Sequence, residues 1–502
     1  MLTKVIFLLI FFAVMVAVGV YSRKHATNVN DFVLGGRSVG PWLTAFAYGT
    51  SYFSAVVFVG YAGQFGYKYG ISATWIGIGN AVIGSLLAWV ILGRRTRVMS
   101  NHLSAATMPD FFGKRYDSKA LRIAASAISF IFLIPYTASV YNGLSRLFGM
   151  AFDIPYEVCV IAMAALTGVY VVLGGYMATA INDFIQGIIM IFGIIAVITS
   201  VLNGQGGFTE AVKSLAEIPS DVPGVYASFF GPDLLNLIGV VVLTSLGTWG
   251  LPQMVHKFYA IKDEKSIKSG TIISTFFAIV VSGGCYFLGG FGRLFDTPAI
   301  HAEDGSVVYD AIVPRMLSTL PDILIGIVVV LVLSASMSTL SSLVLTSSST
   351  LTLDLIKDNI IKKMDEKKQL LCMRVMLVFF VVISVVIALD PPTFIAQLMG
   401  ISWGALAGAF LAPFMYGLYW KGVTKAAVWA SFACGVGITV ANMFWKFIAS
   451  PINAGAIAMV AGLIVVPIVS LLTPKMKKEK VDNIFECLEE TVTVRRKRSI
   501  EE

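Results

Sequence analysis

The densest run of side chains able to do chemistry is Ser334-Ala-Ser-Met-Ser-Thr-Leu-Ser-Ser342, where six of nine residues carry hydroxyls inside an apolar stretch from about 323 to 349. Ser334, Ser338, Ser341 and Ser342 stand at i, i+4, i+7 and i+8, a spacing that a helix gathers on one face. Hydroxyls at membrane depth have two uses. They bond the carbonyl one turn back and pack against neighbouring helices, or they offer oxygen to a small hard cation. Two further stretches set hydroxyls beside residues that interrupt a helix, Gly49-Thr-Ser-Tyr-Phe-Ser54 and Gly247-Thr-Trp-Gly-Leu-Pro252. Proline lacks an amide hydrogen and clashes with the preceding turn. Broken backbone at membrane depth survives only where protein or a water-filled cavity satisfies the freed groups.

The elements that must position these residues are membrane helices. Of 502 residues, 57% are hydrophobic and 13% charged, and the mean hydropathy is +0.82, far more apolar than a soluble domain. Apolar runs of about 17–25 residues, the length that crosses a bilayer, predict thirteen spans. They lie near 3–21, 42–62, 72–92, 122–147, 156–173, 183–203, 232–254, 270–290, 322–349, 372–389, 394–418, 426–448 and 454–473. The first run has no small-residue cleavage site and reads as a retained helix. The 37 Lys and Arg concentrate in alternate loops, namely 22–41, 93–121, 174–182, 255–269, 350–371, 419–425 and the tail after Pro474. Counting those loops together with their adjoining helix ends as inside gives 30 basic residues inside against 7 outside, which sets an N-out, C-in orientation.

That placement accounts for the pI near 9.1 without nucleic acid. The terminal cluster Arg495-Arg-Lys-Arg498 reads as a topology signal or a contact with anionic lipid. Outer loops 204–231 and 291–321, with Glu210, Glu217, Glu303 and Asp304, read as short surface helices, a lid or plain solvated loop. The five cysteines are scattered without ligand spacing, so neither a disulfide framework nor a cysteine metal site is expected. No Walker loop or His/Cys constellation is present, which argues against kinase and metal-hydrolase chemistry.

Interrupted spans in corresponding positions of two halves point to a transporter built from inverted repeats, with its binding sites at the breaks. The expected units are 1–41 (first helix and inner loop), 42–203 (repeat one, spans two to six), 204–231 (outer loop), 232–418 (repeat two, spans seven to eleven), 419–473 (the last two helices) and 474–502 (cytoplasmic tail).

Phe32-Val-Leu-Gly-Gly-Arg-Ser-Val-Gly40, Gly174-Gly-Tyr-Met-Ala-Thr-Ala-Ile-Asn-Asp-Phe-Ile-Gln186 and Met337-Ser-Thr-Leu-Ser341, in that order, resemble the sodium:solute symporters. That family includes bacterial proline, pantothenate and sialic acid symporters and the sodium/glucose cotransporters. The resemblance covers spans two to eleven, and the layout is most similar to the bacterial proline type. It implies an all-α polytopic fold with a LeuT-type 5+5 inverted-repeat core in the bacterial cell membrane. The function it implies is Na+-coupled symport of a small organic solute into the cell by alternating access.

The same resemblance implies a sodium site made of backbone oxygens of Thr50, Phe53 and Ala335 with the hydroxyls of Ser338 and Thr339. Such ligands carry no readily transferable proton, which favours Na+ over H+ as coupling ion. Asp183 is an acidic residue at or just inside the membrane and so a functional candidate. In the family it lies on the sodium release route, and in the sialic acid branch it contributes to a second site. The candidates for that site here are Asp183, Ser338, Ser341 and Ser342. The alternative is an aspartate capping a helix N-terminus.

The solute is expected between the breaks, with candidate pocket residues Tyr52, Ser54, Tyr136, Thr248, Trp249 and Gln253. The chain departs from the proline branch in carrying Tyr52 where that branch has an acid, and Thr244 and Thr248 where it has aromatics. It has no basic residue between Arg122 and Arg146, where the sialic acid branch holds its carboxylate with an arginine. An amino acid or small carboxylate is the expected solute class, with sugars open. A passive facilitator and a transporter-like sensor are the other classes in play, the latter short of an output domain in the 28 residues after Pro474. The expected partners are the solute, Na+ and the lipid bilayer, with no cofactor and no obligatory protein partner.

Overall fold

The structure, a computed structural model, describes residues 2–152, 154–357, 359–361, 364–390 and 394–489. The Arg495–Arg498 cluster lies outside the described residues. The regular elements are helices: α1 (Leu2–Ser22), α2 (Pro41–Tyr52), α3 (56–69), α4 (74–102), α5 (Lys119–Phe152), α6 (Tyr156–Gly204), α7 (Leu234–Gly250), α8 (Pro252–Ala260), α9 (Glu264–Gly289), α10 (Asp322–Ile356), α11 (Glu366–Leu389), α12 (Ile395–Tyr419), α13 (Lys425–Trp445), α14 (Pro451–Leu472) and α15 (Lys478–Glu489). Among the described residues, ten runs are long and apolar enough to cross a membrane, or eleven with the bent pair α7–α8 counted as one. The thirteen-span expectation is higher by two because the expected 156–173 is represented by the shorter apolar helix Tyr156–Val169 and the expected 42–62 is interrupted after Tyr52.

Three breaks shape the interior of the bundle. The span expected at 42–62 is two helices, because α2 stops at Tyr52 and Phe53 is extended (φ −106°, ψ 120°). The span expected at 232–254 is likewise two, separated by extended Leu251 (φ −86°, ψ 123°) and bent by 46°. Pro252 opens α8 at the one helical position where its missing amide hydrogen costs nothing. The third break corrects the expected inner loop 174–182, which is helical. The turn is confined to Gly175 (φ 54°), whose added Cβ would lie 2.8 Å from Phe32, so only glycine fits there. Asp183 therefore sits two turns inside the helix and caps no N-terminus.

Loops assigned to the same side of the membrane meet at the same end of the bundle. At the basic end, Arg37 donates to Ala105 O (2.6 Å) and Tyr259 O (3.3 Å), and Arg115 donates to Gly417 O (2.8 Å). There α15 is held by Lys421–Asp482 (3.0 Å) and Lys480–Asp117 (2.6 Å). At the opposite end, Tyr67 donates to Asp296 (2.5 Å) and Arg293 to Tyr67 O (2.6 Å). The outer loop 204–231 carries a short amphipathic helix, Phe208–Ala216, packed by Ala211 and Leu215.

Where α3 crosses α9 the two backbones touch, since a Cβ at Gly66 would lie 1.9 Å from Gly289 O. Gly66→Ala should lower stability by at least about 1–3 kcal/mol, read as the thermal melt of detergent-solubilised protein. Gly168→Ala, which has nothing within 4 Å, should be neutral or slightly stabilising. In the outer loop, the hydrogen bond to Asp296 (2.7 Å) and then that to Gly305 O raise the His301 pKa above its ordinary value. A raised imidazole pKa gives loop stability that is complete below the unfolded value and lost as pH rises through the folded one. Proteolysis within 291–321 should accordingly be slower at about pH 6 than at about pH 8.5, and His301→Ala should remove the difference.

Candidate functional site

Helix α10 runs unbroken past the α2–α3 break because Leu, Val and Ser fill it and no proline interrupts it. Its hydroxyls meet the carbonyls that the break frees. Ser338 Oγ lies 3.1 Å from Thr50 O and 3.0 Å from Ala335 O. Thr339 Oγ1 lies 3.1 Å from Ala335 O, 3.3 Å from Thr50 O, 3.3 Å from Phe53 O and 3.5 Å from Ser51 O. Two hydroxyl protons thus face six oxygen contacts, and each hydroxyl has a single hydrogen to give. The surplus is electron-rich oxygen aimed at one point in a buried layer, an arrangement that suits a small hard cation. With no carboxylate among these groups, a single positive charge matches the site better than two.

One turn along α10 the chemistry changes. Ser341 Oγ donates to Ser338 O (2.9 Å) within the helix, whereas Ser342 Oγ reaches Ser51 Oγ of α2 (2.7 Å) and accepts from Lys257 Nζ of α8 (2.9 Å). The same ammonium lies 3.8 Å from Asp183 Oδ2, with the lysine side chain 2% and the aspartate 0% exposed. Neither carboxylate oxygen of Asp183 has a hydrogen-bond partner among the described residues. Lys257 is a residue that the sequence alone does not single out. The span predicted at 232–254 ends too early and assigns it to a loop. Its signal is the apolar run Phe258-Tyr-Ala-Ile261 beyond it, which carries the helix on.

Of the expected pocket residues, Tyr52 and Tyr136 come together on Trp403 of α12, with ring centroids 6.0 and 5.8 Å from it. The Tyr136 hydroxyl lies beside Ser54 and the Trp403 indole. Tyr52 donates to Thr244 O (2.8 Å). Thr248 and Trp249 turn elsewhere, donating to Gly84 O (3.2 Å) and Ile83 O (3.0 Å) of α4. Gln253 is buried with both amide atoms unpaired among the described residues. Trp403 is legible in the sequence only as one more apolar residue; the signal that it sits at a crossing is the run of glycines around it, Gly400, Gly404 and Gly408. An outward cleft of about 420 Å³ between α3 and α7 reaches Gln64, beside Lys68 and Asp233.

A family model described as the sodium:solute symporter family matches residues 32–435. A sodium/proline symporter of Staphylococcus aureus (strain JH9) is 30% identical over 490 residues, 94% of this chain and 93% of its own. Among solved structures, a substrate-bound, outward-open Na+-coupled sialic acid symporter is similar at a TM-score of 0.77 and 18% identity, covering 95% of this chain and 99% of its own. The nucleobase-cation-symport-1 family transporter Mhp1 in a closed conformation is similar at 0.56 and 12% identity, covering 90% and 97%. The shared architecture is the LeuT-type fold.

The oxygen cluster predicts selective stabilisation by Na+. At a Na+ concentration about a hundred times its Kd, the melt of wild type should gain about 2–3 kcal/mol over the same concentration of choline. Ser338→Ala with Thr339→Ala should lose that gain, and its melt in choline should also fall, because the Thr50 and Phe53 carbonyls lose their donors.

Proposed function

The chain belongs to the sodium:solute symporter family and is a multi-pass cell-membrane protein that couples Na+ to the movement of a small solute; on that premise we propose which of its residues hold the ion and which the solute. Na+ binds Thr50 O, Phe53 O, Ala335 O, Ser338 Oγ and Thr339 Oγ1. The observation that carries this is the convergence of two hydroxyls on the freed carbonyls of Thr50 and Phe53 and on the helical carbonyl of Ala335 at 3.0–3.3 Å. Asp183, Ser338, Ser341 and Ser342 form a second cation position one turn toward the cytoplasm. The repeats are 42–203 and 232–418, in the N-out, C-in orientation. Residues 1–41, the outer loop 204–231, the helices of 419–473 and the tail from 474 stand outside them.

The solute lies against Tyr52, Ser54 and Tyr136, with Trp403 as their common floor and Gln253 on the α7–α8 side, while Thr248 and Trp249 brace α7 against α4. Coupling follows from chain connectivity. Phe53, whose carbonyl meets the ion, stands between Tyr52 and Ser54, so binding the ion fixes the backbone that presents both to the solute. The side chains of these pocket residues are uncharged, so a small amino acid or carboxylate is held by the unpaired Gln253 side-chain amide and by the Gln253 backbone N–H at the start of α8. A relative that is a sodium/proline symporter supports the amino-acid class. Thr244 and Thr248 in place of the proline branch's aromatics make a differently shaped and more polar pocket, and Tyr52 removes that branch's acid, which together support a solute other than proline. Transport of this kind breaks no covalent bond, and the reading calls for no catalytic residue, cofactor, nucleic acid or obligatory protein partner.

A membrane potential of 100 mV contributes about 2.3 kcal/mol per charge and a tenfold Na+ gradient about 1.4 kcal/mol. One ion therefore sustains roughly 500-fold accumulation of a neutral solute. A screen of amino acids and small carboxylates, L-proline included, for thermal stabilisation that requires Na+ should identify the solute. In reconstituted vesicles an inward Na+ gradient should then drive that solute above equilibrium, and Ser338→Ala with Thr339→Ala should abolish accumulation. Undiminished concentrative uptake by the double variant would overturn the ion assignment.

A further inference from the structure

The second cation position already contains a cation that belongs to the protein. Lys257 Nζ stands 2.9 Å from Ser342 Oγ and 3.8 Å from Asp183 Oδ2, in contact with two of the residues proposed as ligands there. It also lies 5.2 Å from the face of the Tyr176 ring, a further contact that favours positive charge. Asp183 brings one negative charge to this locus. Its two oxygens have no hydrogen bond among the described residues, so neutralisation depends on a nearby positive charge. With Lys257 in place that requirement is met once. Adding Na+ would put two positive charges against one negative in a site sealed from water, where like charges repel strongly.

The tether is also placed to matter. Lys257 belongs to α8, the second half of the broken α7–α8 pair, and Ser342 Oγ bonds Ser51 Oγ at the end of α2 (2.7 Å). Through one ammonium, the inner halves of both broken spans, α2 and α8, are joined across α10.

We propose that the Lys257 ammonium is the resident cation of the position formed by Asp183, Ser341 and Ser342, so that this chain binds one Na+ and not two. This rests on the assignment of the first site above and specifies the ion count of the same transporter.

The test is equilibrium binding of ²²Na+ to the purified full-length chain in detergent, read as ions per chain and as the steepness of the isotherm. Wild type should bind one Na+ without cooperativity. Lys257→Met should bind two, with a steeper isotherm, and Lys257→Arg should stay at one. Lys257→Met combined with Asp183→Asn should return to one. Two ions on wild type, or one on a well-folded Lys257→Met, would overturn the proposal. No binding by wild type would overturn the first site instead, and this inference with it. If Lys257→Met does not fold, Lys257→Gln takes its place. Failure of both neutral variants, with Lys257→Met/Asp183→Asn folding normally, supports the lysine as the obligatory counter-charge of Asp183. Failure of the double variant as well overturns it, because the lysine would then be needed for packing and not for charge.

Discussion

A carbonyl released from a helix in the apolar middle of a bundle has no water to turn to, and leaving it unpaired costs about 1–3 kcal/mol. The extended residue Phe53 releases such carbonyls, and the hydroxyls of Ser338 and Thr339 are what receives them. Much of the surrounding packing brings α10 close enough for that meeting. Glycines of α6 let it lie against both partners, Gly187 beneath Phe46 of α2 and Gly193 beneath Leu331 of α10, where a Cβ would stand 2.3 and 2.6 Å from those side chains. The oxygen cluster and the tolerance of the break are therefore the same interaction viewed from two sides.

Buried charge is distributed unevenly around that site. The oxygens at the break are neutral, while Asp183, Lys257, Asp354 and Arg115, all buried, lie toward the basic end. Asp354 is met there by Thr107 (2.5 Å) and faces Arg122 at 4.0 Å. Toward that end the buried polar groups thus change from neutral dipoles to formal charges.

Much of this architecture is legible in the amino-acid order alone. Hydropathy finds the helices because lipid forces every backbone group to pair within its own segment. Pro252 and the hydroxyl-rich stretches mark the breaks because their chemistry is local. What is not legible depends on distant neighbours. Lys257 reads as an ordinary inner-loop cation until Asp183 and Ser342 are brought to it from other helices. Trp403 reads as lipid-facing filler until Tyr52 and Tyr136 are stacked on it. The helical stretch at 174–182 is hidden because two adjacent glycines suggest a longer loop than the single left-handed residue that makes the turn. Ser334 stays without a hydrogen-bond partner among the described residues, and its packing role is the only one the structure supports.

Where Gly66 meets Gly289, backbone touches backbone, and such a contact has no rotamers through which to yield. Side chains at an interface absorb strain by hopping between staggered wells; here the two helices either travel together or separate altogether. The outer half of α3 and the outer end of α9 accordingly behave as one stiff body. The mechanical compliance of the bundle falls to Phe53 and Leu251, where the hydrogen-bond ladder is already interrupted. Stiffness is thus concentrated at the outer face and give at the two breaks, midway along the spans.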